Sequence, residues 1–155
     1  MMSQIEQRLS ELGLTLPEAA APAANYVPYV QTGNLVVVSG QITMENGAIK
    51  YVGRVGKDFT TDEAYEAAKL CGLNLIAQVK AACEGDLDRV QRVVRLGGFV
   101  NCTDDFTDQP KVINGASDLM AEVFGDKGKH ARAAVGVNTL PLGVAVEVEG
   151  MFEIS

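Results

Sequence analysis

The fold is decided near the C-terminus, where residues 131–154 read ARAAVGVNTLPLGVAVEVEGMFEI. Alternating Val and Ala residues predict two β-strands, Ala131 to Val137 and Val144 to Ile154. The segment Leu140-Pro141-Leu142-Gly143 predicts the connection between them. The chain therefore ends in two strands, and the preceding residues must supply the layer that covers them.

The preceding sequence alternates between strand and helix patterns. Short β-prone runs, separated by turns such as Asn46-Gly47, predict a meander in the first third of the chain. A Val-rich strand follows later, with Gly97-Gly98 marking a bulge or a close backbone approach. Strands are predicted at residues 26–31, 35–38, 48–52 and 90–102, and helices at residues 3–12, 61–84 and 112–124. Capping boxes at Ser3/Glu6 and Thr60/Glu63 mark the starts of the first two helices.

This order of elements predicts the fold class α/β, of the α+β type. We expect a two-layer sandwich in which two main helices cover one face of a mixed β-sheet, with a short N-terminal helix in addition. No linker or repeat divides the sequence. We therefore expect a single domain over residues 1–155, in which residues 1–25 form an N-terminal helix and loop extension.

Composition excludes several classes of protein. The chain has 155 residues, of which 47% are hydrophobic, and a formal net charge of −7. This apolar fraction excludes a disordered chain, and no apolar run approaches the roughly 20 residues of a membrane span. The acidic balance argues against broad nucleic-acid binding, although a local basic pocket remains compatible with it.

The cysteines and the N-terminus indicate a cytoplasmic protein without a metal or cofactor. Cys71, Cys83 and Cys102 show no C-x-x-C spacing and are expected to be free core thiols. The first residues lack a basic segment followed by an apolar one, so no secretory signal is predicted. His130 is the only histidine, and no G-x-G-x-x-G is present. We therefore expect no metal cluster and no nucleotide or flavin.

Arg132 is the first candidate for a functional residue. Alternation along its strand places it on one face with His130, Ala134 and Gly136. Small neighbours leave space around the guanidinium group, which can bind a carboxylate through two parallel hydrogen bonds. From the spacing alone, an exposed arginine or one paired with Glu147 or Glu149 remains an alternative.

Glu147 is the second candidate. It shares a strand face with Ala145 and Glu149. A carboxylate beside a guanidinium group could orient or deprotonate a water, and the cation is expected to hold its pKa low. A solvated outer face of the sheet is the alternative.

Residues 114–117, Asn-Gly-Ala-Ser, offer amide and hydroxyl groups at the expected helix entry or serve only to begin the helix.

Three segments carry a resemblance to a known family. Residues 33–42 read GNLVVVSGQI, residues 132–149 read RAAVGVNTLPLGVAVEVE, and the long helix contains Ala67-Ala68 and Asn74. They resemble the G-N-x-x-x-x-S-G-Q-[IV] stretch, the R-x-x-V-x-V-x-x-L-P-x-x-x-x-V-E-[IV]-E ending and the A-A-x-x-x-x-x-N helix of the Rid family. This family is also called YjgF-like and was formerly labelled endoribonuclease L-PSP.

The resemblance implies a chorismate-mutase-like fold and a homotrimer with three clefts between subunits. It also implies cofactor-independent hydrolysis of enamines and imines, such as 2-aminoacrylate, to 2-oxo acids and ammonia. By the family pattern, Arg132 clamps the substrate carboxylate and Glu147 positions the attacking water. The other expected cleft residues are Tyr26, Asn114, Ala134 with its backbone carbonyl, Ser39 and Gly40.

Several positions depart from the family pattern and indicate a separate branch. His130 stands where Pro is common, Ala134 where Cys is common, and the segment before Tyr26 is longer than usual. A non-catalytic trimer that binds small carboxylates through Arg132 is therefore the alternative function, and a ribonuclease is a third. The expected partners are a small imine, enamine or 2-oxo acid and further copies of the chain, with no nucleic acid and no membrane.

Overall fold

The computed structural model describes residues 2–21 and 24–155. These residues form three α-helices and seven strands. They are α1 (Gln4–Glu11), β1 (Tyr29–Thr32), β2 (Leu35–Gln41), β3 (Met44–Glu45), β4 (Ala48–Ile49), α2 (Thr61–Ala82), β5 (Val90–Asn101), α3 (Gln109–Phe124), β6 (Ala131–Val137) and β7 (Val146–Ile154).

Five of the strands form one mixed sheet in the order β1-β2-β7-β5-β6. All neighbouring pairs are antiparallel except β5 and β6, which run parallel because α3 makes the crossover between them. Strands β3 and β4 form a separate hairpin. Its turn residues Asn46 and Gly47 have φ angles of 50° and 86°, as the Asn-Gly pair predicts.

Helices α2 and α3 cover one face of the sheet and pack against each other. Their contact is close at Gly115 in α3, where a Cβ atom would lie 2.0 Å from the carbonyl oxygen of Tyr65 in α2. The opposite face, which we call the open face, carries Val37 of β2 and Val135 of β6, with exposed fractions of 40% and 47%. The two-layer sandwich predicted from the sequence is thus confirmed.

The first two helices begin at the predicted caps. The Ser3 hydroxyl accepts a hydrogen bond from the Glu6 amide, and Thr60 and Glu63 form a complete capping box. Helix α3 begins at Gln109, three residues before the predicted start, because Pro110 fits a first helical turn, where its missing N–H costs nothing. No helix in the described parts of the chain has both the length and the hydrophobicity to cross a membrane.

Strand β5 follows the predicted range but not the predicted irregularity. Its register shifts lie between Val90 and Arg92 and between Val93 and Arg95, so a bulge at Gly97-Gly98 is wrong. The alternative, a close approach, is confirmed, because a Cβ atom on Gly98 would lie 2.5 Å from side-chain carbons of Ile113. Glycine at this position lets α3 lie directly on the sheet.

The N-terminal segment runs back along the helix layer. The backbone amides of Gln4 and Ile5 each donate to the Asp88 carboxylate at 3.0 Å, which holds the start of α1. Farther along, the buried Gln78 side chain donates from Nε2 to the carbonyl oxygen of Ala20 at 2.7 Å. This contact fixes the segment beside the end of β2.

Candidate functional site

Arg132 lies on the edge strand β6 and points to the helix-covered face of the sheet. Its register partner in β5 is Leu96, which is fully buried beneath the helices. Residues that pair across neighbouring strands share a face, so Arg132 projects toward α3. Ala134, two residues farther on, lies partly buried on the same face.

Helix α3 supplies the hydrogen-bond partners of Arg132. Its Nη1 donates to Oδ1 of Asn114 at 2.8 Å and to Oγ of Ser117 at 3.1 Å, and its Nη2 approaches the carbonyl oxygen of Pro110 at 3.4 Å. Asn114 lies in the second turn of α3 rather than at a helix entry, and the longer helix brings it to Arg132.

The guanidinium group has no acidic partner among the described residues. Glu149, one of its possible partners, instead forms a salt bridge with Arg95 at 3.3 Å, so pairing with Arg132 is wrong. Nη1 donates to two acceptors and Nη2 donates one proton to the Pro110 carbonyl oxygen. Nε and the second proton of Nη2 have no acceptor among the described residues and remain available to a ligand. Two parallel N–H groups match a carboxylate.

His130 and Ser117 extend the network behind Arg132. Ser117 Oγ lies 2.8 Å from His130 Nε2, and His130 Nδ1 lies 2.6 Å from the carbonyl oxygen of Gly128. The carbonyl can only accept, so Nδ1 carries a proton, and in the neutral ring Nε2 is then unprotonated. Nε2 then accepts from the Ser117 hydroxyl, whose oxygen accepts from Arg132. Sequence reasoning did not connect these residues, although His130 shares a strand face with Arg132 and Ser117 follows Asn114 by three residues on a helix.

Glu147 lies on the open face of the sheet. It pairs in register with Phe99 of β5, three positions from Leu96 on an uninterrupted stretch, and this odd spacing reverses the face. Its neighbours Val146 and Val148 are fully buried on the helix side. The Glu147 carboxyl group instead lies against Gly40, where a Cβ atom would come within 2.6 Å of Oε2.

A small cavity adjoins the Glu147 side chain. Its volume is about 80 Å³, which exceeds the space that one water needs. Tyr26, Ser39 and Gly40 line it together with Glu147, as the resemblance implied, and the Ser39 hydroxyl donates to the carbonyl oxygen of Val27 at 2.7 Å. The remaining wall is mainly apolar and comprises Ala20, Ala21, Pro28, Gln41, Ile42, Met44, Asn74, Pro141 and Leu142.

The electrostatic environment of Glu147 differs from the one expected. Burial raises the pKa of its carboxyl group above the ordinary value of 4.5, and the negative charge of Glu149 raises it further. The expectation that Arg132 lowers this pKa is wrong for the single chain, because the guanidinium group points to the other face of the sheet. A raised pKa makes the carboxylate a stronger base toward a bound water than an exposed glutamate is.

The predicted site residues therefore form two clusters. Arg132 and Asn114, with Ala134 beside them, form what we call the arginine cluster on the helix side of β6. Tyr26, Ser39, Gly40 and Glu147 form what we call the carboxyl cluster, with Glu147 projecting from the open face. One copy of the chain does not bring the two clusters together.

Comparison with known proteins identifies the family. Residues 6–153 match the family described as "YjgF/chorismate_mutase-like, putative endoribonuclease". The chain belongs to the Rid family. The resemblance seen in the SGQ and C-terminal motifs is thereby confirmed, as is the chorismate-mutase-like fold.

Individual Rid relatives cover nearly the whole chain. "Protein TCP17" of Trypanosoma cruzi is 48% identical over 153 residues, which cover 98% of this chain and 95% of the relative. A 2-iminobutanoate/2-iminopropanoate deaminase of Dermatophagoides farinae is 31% identical over 142 residues, 91% of this chain and 94% of the relative.

A solved structure extends the comparison to three dimensions. The crystal structure of Atu1372, a protein of unknown function from Agrobacterium tumefaciens, is 52% identical and has a TM-score of 0.91. The match covers 97% of this chain and 92% of that one. The proteins that match this chain thus include one named as an imine deaminase and one of unknown function.

Proposed function

We propose that this protein is a cofactor-independent hydrolase that converts enamines and imines of small amino acids, such as 2-aminoacrylate, to 2-oxo acids and ammonia. The observation that carries the proposal is the Arg132 guanidinium group, held by neutral acceptors and with Nε and one proton of Nη2 left for a carboxylate. The deaminase among the Rid relatives supports this choice of chemistry.

The active assembly in this proposal is a homotrimer. Arg132 and Glu147 point to opposite faces of one sheet, so a complete site needs the arginine cluster of one subunit beside the carboxyl cluster of another. The open face offers an apolar docking surface for a second copy, since Val30, Val37 and Val135 are 52%, 40% and 47% exposed. Exposed β-branched side chains grouped on one sheet face are typical of an interface between subunits.

The proposed reaction needs only orientation and one activated water. The enamine first tautomerises to the imine, whose carboxylate binds Nε and Nη2 of Arg132. Glu147 accepts a proton from water while the oxygen forms a bond to the imine carbon, and the imine nitrogen takes up a proton from solvent. Glu147 then returns its proton to the nitrogen of the carbinolamine. The C–N bond breaks as the hydroxyl group loses its proton to solvent, which releases ammonia, leaves the 2-oxo acid and consumes one water.

The proposed compartment is the cytoplasm. Cys71, Cys83 and Cys102 are free thiols buried in the protein. Free thiols of this kind are common where glutathione and thioredoxin keep cysteines reduced.

A coupled assay tests the activity. A dehydratase acting on serine generates 2-aminoacrylate, and the rate of pyruvate release is measured with and without the purified protein. We expect acceleration by the wild type and a loss of at least about 100-fold in Arg132→Ala, because the carboxylate clamp is removed. Lys111→Ala is the matched control, since it removes an exposed positive charge close to the arginine cluster in α3.

The same assay separates the alternative function. If several amino-acid-derived imines are not hydrolysed faster with the protein, the deaminase proposal is wrong. Thermal stabilisation by a 2-oxo acid without turnover would then indicate the carboxylate-binding trimer, because a ligand that binds only the folded state raises its melting temperature. Cleavage of RNA at low salt would instead indicate the ribonuclease.

A further inference from the structure

Ser117 and His130 form a chain of contacts that ends at Arg132 and that the proposed reaction does not use. Both side chains are partly buried between α3 and the start of β6. The chain runs from the Gly128 carbonyl oxygen through His130 and the Ser117 hydroxyl to Arg132 Nη1, over distances of 2.6, 2.8 and 3.1 Å. Each donor in it has one acceptor, so the directions of all three hydrogen bonds are mutually consistent.

We propose that Ser117 and His130 are positioning residues that set the orientation of the Arg132 guanidinium group for carboxylate binding. The inference rests on the proposed function for the identity of the substrate, whereas the orientation of the Arg132 side chain can be measured without any substrate. A guanidinium group is planar, so fixing Nη1 at Asn114 and Ser117 also fixes the direction of the Nε–Nη2 edge.

His130 controls the direction of the Ser117 hydroxyl. Arg132 needs a lone pair of Ser117 Oγ, and a hydroxyl is free to rotate unless its own proton has an acceptor. Nε2 of His130 provides that acceptor, and the Gly128 carbonyl selects the tautomer in which Nε2 is unprotonated. Histidine at this position, where the family commonly has proline, therefore has a defined role in this branch.

Neutral partners leave the charge of Arg132 uncompensated. An aspartate or glutamate at position 117 would hold Nη1 equally well, but it would also neutralise the guanidinium group and weaken its attraction for an anion. Asn114, Ser117 and His130 hold the arginine through dipoles. The cluster thus combines a fixed geometry with a full positive charge.

Four variants test the hydrogen bonds from Gly128 to Arg132. Each variant is measured for steady-state kinetics on 2-aminoacrylate and for binding of 2-oxobutanoate. Ser117→Ala removes the hydroxyl, and Ser117→Thr keeps it. His130→Phe removes both ring nitrogens at similar volume, and His130→Gln keeps an acceptor for Ser117. Removing a hydrogen bond to a charged group is expected to raise KM and the dissociation constant about tenfold in Ser117→Ala and His130→Phe, with kcat changed less than about threefold.

The conservative variants and a neutral ligand separate positioning from general structural damage. We expect Ser117→Thr and His130→Gln to retain affinity within about threefold of the wild type. The amide of 2-oxobutanoate, which lacks the carboxylate, should bind the wild type and Ser117→Ala equally. Equal loss of affinity for the acid and the amide would overturn the proposal.

A third measurement does not depend on turnover or ligand. The Nε–Hε signal of Arg132 in 15N NMR reports the order of its side chain, and Ser117→Ala and His130→Phe should lower the order parameter. An unchanged order parameter together with unchanged 2-oxobutanoate affinity would overturn the positioning role, even if the protein is a deaminase. Lowered order and affinity in a protein without turnover would support the positioning role and contradict only the proposed function.

Discussion

The Glu147 carboxyl group occupies the space where a side chain at Gly40 would begin. A Cβ atom on Gly40 would lie 2.6 Å from Oε2 and 2.9 Å from Cδ of Glu147. Gly40 has no positive φ angle, so its backbone conformation is open to other residues. The glycine of the SGQ motif is therefore required by its neighbour across the strand pair rather than by its own backbone.

Replacing Gly40 by alanine should displace the carboxyl group while preserving the fold. The side-chain end of Glu147 can move away, so we expect a change of less than about 1 kcal/mol in the free energy of unfolding. Activity on 2-aminoacrylate should fall at least about tenfold, because an ångström-scale displacement of a catalytic group is costly. In a Glu147→Gln background the same substitution should have little additional effect, and additive losses would contradict the link between the two residues.

Glu147 should make stability depend on pH. Its folded-state pKa lies above the unfolded value of 4.5, so ionisation is less favourable in the folded protein. The resulting penalty is absent well below pH 4.5, grows as the pH rises from 4.5 to the folded-state pKa and is complete above it. In the isolated subunit, where no Arg132 of a neighbouring copy lies beside the carboxyl group, Glu147→Gln should therefore melt at a higher temperature than the unsubstituted chain at pH 7, and this difference should shrink toward zero at pH 4.

Melting curves of both proteins at these two pH values measure this effect. Glu153→Gln is the control, because Glu153 lies exposed on the same strand. A stabilisation of Glu147→Gln that is larger at pH 4 than at pH 7 would show that the sign is wrong.

Val37→Asp should dissociate the proposed trimer. A charge introduced on the open face must be desolvated in the interface, which opposes assembly by several kcal/mol. Sedimentation should then give the 16.5 kDa mass of one chain in place of three times that mass. Ser10→Asp, on the exposed side of α1, adds the same charge away from the sheet and should leave the trimer intact. A Val37→Asp protein that remains trimeric would place the interface elsewhere.

Gln78→Leu should alter the choice of substrate. Gln78 holds the Ala20 carbonyl, and Ala20 and Ala21 line the Glu147 cavity. Without this hydrogen bond the segment loses its anchor, which costs about 1 kcal/mol. We expect the kcat/KM ratio of larger aliphatic imines to 2-aminoacrylate to rise severalfold. Gln91→Leu, at an exposed glutamine, is the matched control, and equal ratios in both variants would contradict the role of the segment.

Local sequence patterns predicted most of the elements but not how they face each other. The alternation in β6 showed that His130 and Arg132 share a face, and the one in β7 showed the same for Glu147 and Glu149. Whether the two pairs share a face of the sheet depends on how β6 and β7 are each paired in register with β5. The pattern within one strand does not predict this register. Arg132 and Glu147 were therefore expected as neighbours, although the sheet separates them.

Two further features depend on contacts distant in sequence. The raised pKa of Glu147 follows from burial in a region whose cavity is completed by Ala20 and Ala21, more than a hundred positions away. The contact of Ser117 with His130 joins α3 to the residue before β6, and neither local pattern alone brings these two side chains together. A separate difference is that α3 starts at Gln109, three residues before the apolar pattern begins. A hydrophobic pattern marks the buried side of a helix but not the extra turn that its capping residues and proline allow.

Because Arg132 and Glu147 lie on opposite faces of the sheet, a loss of one side chain in one subunit can be compensated by a different subunit that retains it. In the proposed assembly each site takes its arginine from one subunit and its carboxyl group from the next. Two inactive variants, Arg132→Ala and Glu147→Gln, would therefore complement each other when their subunits are mixed, because every hybrid trimer contains one site with both groups intact. Equal mixing would restore about a quarter of the sites. A cell carrying one copy of each defective allele would retain activity that neither allele supplies alone.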